Sequence, residues 1–245
     1  TKDIERAKAE LAALGKIKTP SRSSYFGIVD LCGFPKDRYY NYKSYWRPDV
    51  PTVHILPHWN WEERIGEITP VHIYTSGDAV ELFLNGKSQG RREKKYRYDR
   101  LTWDDVRYEP GVLKAIAYKN GKVWAEEIVE TAGKAAAIKV TPEKLTLKPD
   151  GTDLLFVRVE IVDAKGRTVP RANNHLEFSV SGPVEIAATD NGDATDLTSF
   201  QSSERNAYNG MALVILRGTY QKKGKGVLTV KSKGLPVQKV KLIVE

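Results

Sequence analysis

Three adjacent carboxyl pairs, Glu62-Glu63, Asp104-Asp105 and Glu126-Glu127, stand out in a sequence of 245 residues. Two carboxyl groups that converge on one bond can act as general acid and nucleophile. All three pairs, however, fall in extended or loop-like sequence, and neighbours on a strand point to opposite faces. They are expected to be solvated edge charges. The run Asp190-Asn191-Gly192-Asp193-Ala194-Thr195-Asp196 crowds oxygen atoms on a turn, as a Ca²⁺ site would. Its spacing is not that of an EF-hand loop, and Asx turns account for the same residues without an ion. His54 and His58 stand four apart, but in an extended Pro-flanked stretch rather than on a helix, which argues against a zinc pair. The one cysteine, Cys32, excludes an internal disulfide or a thiolate cluster. No histidine lies near it in sequence, and a small buried apolar role is expected. No phosphate loop, His-Glu-x-x-His pattern or Gly-x-Ser-x-Gly elbow occurs. No metal and no cofactor is expected. Trp59, Trp61, Trp103 and Trp124 could stack on a sugar ring, and Trp59 and Trp61 would share a strand face if their segment is extended. Core packing is the competing role for these rings.

The elements that would position these residues change character along the chain. Asp3 can cap a helix in which Ile4, Leu11 and Leu14 recur at helical spacing, with Gly15 at its stop. Thr19 to Asp30 reads as a loop. Lys36 to Trp46 reads as a second helix, with Pro35 near its first turn, Tyr39, Tyr42 and Trp46 on one face, and Pro48 and Pro51 ending it. Neither helix has a partner visible in the sequence. From Thr52 the apolar period becomes two: Val53, Ile55; Val71, Ile73; Val80, Leu82, Leu84; Leu113, Ala115, Ala117; Val123, Ala125. Asn85-Gly86 and Asn120-Gly121 mark two-residue hairpins, because type I′ turns need positive φ at both positions. A joint of small residues at 132–137 separates this stretch from a second set of about eight alternating runs between Ile138 and Val244, split by Asp150-Gly151, Lys165-Gly166, Asn191-Gly192 and Asn209-Gly210. The reading is mainly β. It gives a helical piece over 1–48, a first β-sandwich over 49–133 and an immunoglobulin-like β-sandwich without a disulfide over 134–245.

Composition narrows the partners. The net charge of +8 falls on residues 1–48 and 134–245, while 49–133 is slightly acidic. The densest basic run, Arg91-Arg92-Glu93-Lys94-Lys95, is expected to be a solvated strand end, and no stacking module accompanies it, so no nucleic-acid binding is expected. No apolar run approaches the roughly 20 residues needed for a membrane span.

At Ser21-Arg-Ser-Ser-Tyr-Phe-Gly-Ile-Val-Asp-Leu-Cys-Gly-Phe-Pro-Lys-Asp-Arg-Tyr-Tyr40 the sequence resembles the end of the catalytic barrel of family 2 glycoside hydrolases, bacterial and β-galactosidase-like. Thr52 to Trp61, Val80 to Gly90, Ala188 to Asp196 and Ala207 to Val214 resemble the accessory domains that follow it. The resemblance implies that residues 1–48 are a helical remnant of a TIM barrel, and that both helices pack on the barrel. It implies a parent enzyme that hydrolyses terminal β-galactosides with retention, through a glycosyl-enzyme ester and two Glu residues. The acid/base Glu typically follows an Asn, and no Asn-Glu dipeptide occurs here. Both catalytic Glu residues are therefore expected upstream, leaving this chain inactive alone. Tyr25, Phe26 and Asp30, at the barrel's end, would approach the sugar pocket of the intact enzyme. The partners implied are the rest of the barrel, a carbohydrate substrate and a second copy of the enzyme, in a periplasmic or extracellular setting with any signal upstream. A free-standing carbohydrate-binding module that uses Trp59 and Trp61, and a structural spacer, are the alternatives.

Overall fold

The computed structural model describes residues 21–245. The helix expected around Asp3 to Gly15 lies outside the described residues. The helix expected from Lys36 is present as α1 (Asp37–Trp46), with Asp37 in its first turn and Lys43 in its last, each sign placed where the helix dipole favours it.

Two stacked sheets follow. One joins β1 (Val53–Leu56), β2 (Val71–Thr75) and β5 (Leu101–Trp103) in the order β1-β2-β5. The other joins β3 (Ala79–Leu84), β4 (Lys87–Glu93), β6 (Val112–Lys119) and β7 (Lys122–Glu130) in the order β4-β3-β6-β7. Their facing side chains, among them Ile55, Ile73, Leu82, Leu113 and Ala115, form one core. The hairpin turns have the geometry the dipeptides require: φ is 50° and 80° at Asn85-Gly86 and 51° and 74° at Asn120-Gly121.

The second sandwich stacks β8 (Ala137–Pro142), β10 (Leu154–Val162), β12 (Val184–Asp190) and β14 (Met211–Gly218), ordered β12-β14-β10-β8, on a sheet of five. The five are β9 (Thr146–Leu147), β11 (His175–Ser181), β13 (Glu204–Asn206), β15 (Gly224–Lys231) and β16 (Gln238–Val244), ordered β13-β11-β15-β16-β9. Pairing is antiparallel except between β16 and β9. Eight of these strands coincide with the alternating runs. The ninth, β13, has no apolar residue to alternate: its inward position is Arg205, which is 1% exposed.

The structure corrects the view of α1 as a helix without a partner in this chain. It lies against β1 and β2. Tyr40 stacks on His54 with ring centroids 3.9 Å apart, and the Tyr45 hydroxyl donates to the Tyr98 carbonyl at 2.6 Å. The loop before it reaches the other sandwich. Cys32 and Phe34 share a crevice with Phe156, Arg158 and Leu213 on the outer face of the four-stranded sheet.

The joint between the sandwiches is held by side chains. Asn60 and Ala132 exchange two hydrogen bonds, Nδ2 to the carbonyl at 2.8 Å and amide to Oδ1 at 3.0 Å. Asp163 accepts from the amides of Gly133, Lys165 and Arg167 and from the Arg167 guanidinium. That guanidinium, first among these donors, holds the Asp163 carboxyl far below the usual carboxylate range. Arg167 also reaches Glu130 at 3.2 Å, and Arg171 reaches Glu63 at 2.7 Å.

Candidate functional site

A cleft of about 780 Å³ opens between the segment that precedes α1 and the second sandwich. Arg22 fastens the segment. Its amide donates to the Ala194 carbonyl at 2.6 Å, its Nη2 to the Thr198 carbonyl at 2.9 Å, and its guanidinium sits 4.2 Å over the Phe200 ring. Asp30 then turns the chain: its Oδ1 accepts the amides of Cys32 and Phe34, both at 2.9 Å. Burial raises the Asp30 carboxyl pKa, the two amides oppose the shift, and nearby Asp190 adds to it. Gly192 has φ of +80°, and a Cβ there would lie 2.2 Å from Asp30 Oδ2, so glycine is required on both counts.

Of the site residues expected from sequence, Tyr25 and Asp30 line this cleft together with Ser23, Ser24, Tyr208 and Asn209. Phe26 is 84% exposed and is not part of the lining. Hydroxyls, an amide and two tyrosine rings are a lining suited to sugar hydroxyls. It is less suited to bond cleavage. Its two carboxylates, Asp30 and Asp37, are both engaged, Asp30 by its own turn and Asp37 by His54 Nε2 at 2.9 Å.

Trp59 requires a correction. It lies in the loop after β1, has no exposed surface and packs against Tyr108 at 5.0 Å, while its Nε1 donates to the Glu109 carbonyl. It belongs to the core and cannot receive a sugar. Trp61 is half-buried, stacked on His58 at 4.4 Å with the Arg171 guanidinium 5.6 Å over its ring, so the two rings share no open face. Trp103 is likewise fully buried. Cys32 is half-buried rather than enclosed, and burial pushes its thiol pKa up, away from reactivity.

One of the three carboxyl pairs diverges across its strand, and its inner member is not a solvated edge charge. Glu126 meets Lys114 at 2.8 Å on one face of β7, while Glu127 reaches His54 Nδ1 at 3.3 Å on the other. Glu62-Glu63 form a 3₁₀ turn rather than extended chain. Among the described residues no three His, Cys, Asp or Glu side chains gather as a metal site would require. Loop 190–200 is instead organised by Arg205, which donates to Asp196 Oδ2 at 3.0 Å and to the carbonyls of Thr189, Thr198 and Ser199. Sequence reading missed Arg205, Asp163 and His54 as organisers. The one available signal was an arginine at an inward strand position.

His54 ties α1 to the sandwich. Burial works against its charge, but the hydrogen bonds it donates to Asp37 and Glu127 outweigh burial and push its pKa up to about 9. A raised folded-state value contributes stability that is fully present below the ordinary histidine pKa near 6.5 and is lost as pH rises through about 9. The contribution is on the order of 3 kcal/mol. Urea unfolding between pH 6 and pH 10 should show this decline. His54→Gln should flatten it.

The fold and the cleft together define a pair of β-sandwich domains with a loop and helix packed against them. Residues 138–241 match the model of the glycoside hydrolase family 2 C-terminal domain 5, and residues 66–125 match a domain of unknown function, DUF4982. A β-galactosidase of Bacteroides ovatus is 46% identical over 92% of this chain and 26% of its own length. A protein of Formosa agariphila named putative β-glucuronidase is 34% identical over 83% of this chain and 20% of its own. A crystal structure of a β-glycosidase from Bacteroides vulgatus superposes with a TM-score of 0.86 at 36% identity, over 94% of this chain and 29% of that one. The chain belongs to the family 2 glycoside hydrolases, and it spans about a quarter of the length of the curated relatives it matches. Agreement over 94% of the chain includes both sandwiches, so their mutual arrangement is shared with the Bacteroides vulgatus structure.

Proposed function

We propose that this chain is the non-catalytic C-terminal region of a retaining hydrolase of terminal β-galactosides, and that its two sandwiches form a rigid support for the catalytic barrel. The observation that carries the reading is the engagement of the segment before α1. Arg22, Asp30 and the helix itself are fixed to both sandwiches, yet the carboxylates that line the cleft are bound up in turns and ion pairs. Such a region positions a neighbouring active site without supplying its acid or nucleophile. The galactoside assignment rests on the 46% identity to a β-galactosidase, against 34% to a protein named for glucuronides. In this reading Tyr25 and Asp30 face the sugar from the rim of the barrel.

Two assays test the proposal. The 245-residue chain alone should not turn over 4-nitrophenyl β-galactoside. The polypeptide extended to include the barrel should turn it over and should leave the β-glucuronide intact. Turnover by the isolated chain, or a preference for the glucuronide, would sink the corresponding half of the proposal.

A further inference from the structure

The five-stranded sheet of the second sandwich has an outer face that no other described part of the chain covers. Between Tyr220 and Val244 the sequence has seven lysines and neither Asp nor Glu. Strand alternation sorts them. Leu228, Val230, Leu242 and Val244 point into the core and are at most 1% exposed. Lys225 and Lys231 on β15, and Lys239 and Lys241 on β16, therefore point outward, and all four are exposed. Register places them on level ground: Lys239 sits opposite Thr229, which faces Ser179, and Lys241 sits opposite Val227, which faces Ser181. Along β16 the Cα atoms of Lys239 and Lys241 stand about 7 Å apart, the repeat of alternate strand residues.

These charges are not used internally. The lysines that meet carboxylates are Lys114, Lys139 and Lys144, and among the described residues none of the seven does. Of the acids on the same sheet face, Glu177 and Glu204 lie at its β11–β13 edge, where Glu177 is opposite Lys231, and Glu245 follows the end of β16. Next to the lysine rows the turn from β14 to β15 carries Lys222, Lys223 and Tyr220, whose ring is 63% exposed. The turn is pinned by the Gln221 amide on the Pro149 carbonyl and the Lys222 amide on the Thr219 carbonyl, with Gln221 at φ 56°.

We infer that this face binds an acidic polysaccharide, its carboxylates or sulfates on the lysine rows and a sugar ring against Tyr220. The chemistry favours a flexible, repeating anion: compact ammonium charges on a flat strip set no fixed geometry, unlike the forked guanidinium groups that read phosphate. Attraction of this kind concentrates a charged polymer at the surface and weakens with salt. The inference goes beyond the proposed galactosidase role and does not depend on it, since turnover tests one and polyanion binding by the full chain tests the other.

The test is retention of the full chain on immobilised polygalacturonate, with neutral galactan as the comparison. Binding is expected to polygalacturonate only, weakening by about tenfold between 50 and 200 mM NaCl. Lys239→Glu with Lys241→Glu should lose at least about tenfold in affinity, while Lys87→Glu with Lys122→Glu, an equal charge change on the first sandwich, should leave it unchanged. All four positions are exposed, and unchanged thermal unfolding would show that the variants fold. Equal loss in both double variants would reduce the effect to bulk charge and overturn the inference. So would equal binding to neutral galactan, or retention by phosphatidylglycerol vesicles with none by polygalacturonate.

Discussion

Replacing Trp59 with alanine is expected to remove about 4 kcal/mol from the stability of the first sandwich, a large share of the roughly 5–15 kcal/mol that holds a domain folded. The indole is fully buried, packs on Tyr108 and gives its Nε1 proton to the Glu109 carbonyl. Its backbone carbonyl receives the Thr131 hydroxyl at 2.7 Å, which brings the end of β7 to the same point. Alanine leaves a cavity the size of an indole and an orphaned carbonyl. Trp59→Phe keeps most of the volume and should lose about half as much. Denaturant unfolding followed by fluorescence measures both. A loss below about 1 kcal/mol for alanine would mean that the ring is not in the core, and would reopen its role as a sugar platform.

Arg205→Ala is the second large effect. The side chain is completely withdrawn from solvent and makes contacts to Asp196, Thr189, Thr198 and Ser199. Removing one partner of a buried ion pair costs about 3–5 kcal/mol, because the other charge stays behind unpaired. Asp196 is that charge. Burial works to raise its pKa, and the Thr198 and Arg205 hydrogen bonds hold it lowered. Arg205→Lys keeps the charge but loses the fork, and should recover only part of the loss. Thermal unfolding gives the size of the effect. Limited thermolysis gives its location, since loop 190–200 should become the first cleavage site. Segment 21–36 should loosen with it, as Arg22 is anchored to Ala194, Thr198 and Phe200 of that loop.

Much of this architecture was legible because β-sandwich sequences carry their geometry locally. Asn85-Gly86 and Asn120-Gly121 dictated hairpins, and runs such as Leu155, Val157, Val159 and Ile161 dictated which face is buried. The misses share one cause. Strand β13 is built around Arg205, and a polar residue inside a core gives no apolar period to detect. Trp59 sits in a loop that folds back over the core, so alternation along an assumed strand placed it wrongly. His54 acts through Glu127, 73 residues away, and Asp163 joins its near neighbour Arg167 to Gly133, 30 residues away, links that periodicity cannot see. Tyr25 and Asp30 were expected at the sugar pocket of the intact enzyme; that they share a cleft with Tyr208 and Asn209, from a turn far along the chain, was not legible, because the contact is long-range.

The two sandwiches are linked by the covalent joint at 131–136, by the ion pairs of Arg167 with Glu130 and Arg171 with Glu63 beside it, and by the stretch from Arg22 to α1, which grips loop 190–200 at one end and His54 at the other. The chain thus forms a closed circuit through both bodies. A circuit has no free hinge: for one sandwich to swing relative to the other, two separate sets of contacts must open together. Each link also holds the partners of the other at high effective concentration, so a break in either is readily re-formed. Bending force on either sandwich is therefore shared between the joint and the segment before α1 instead of falling on a single linker.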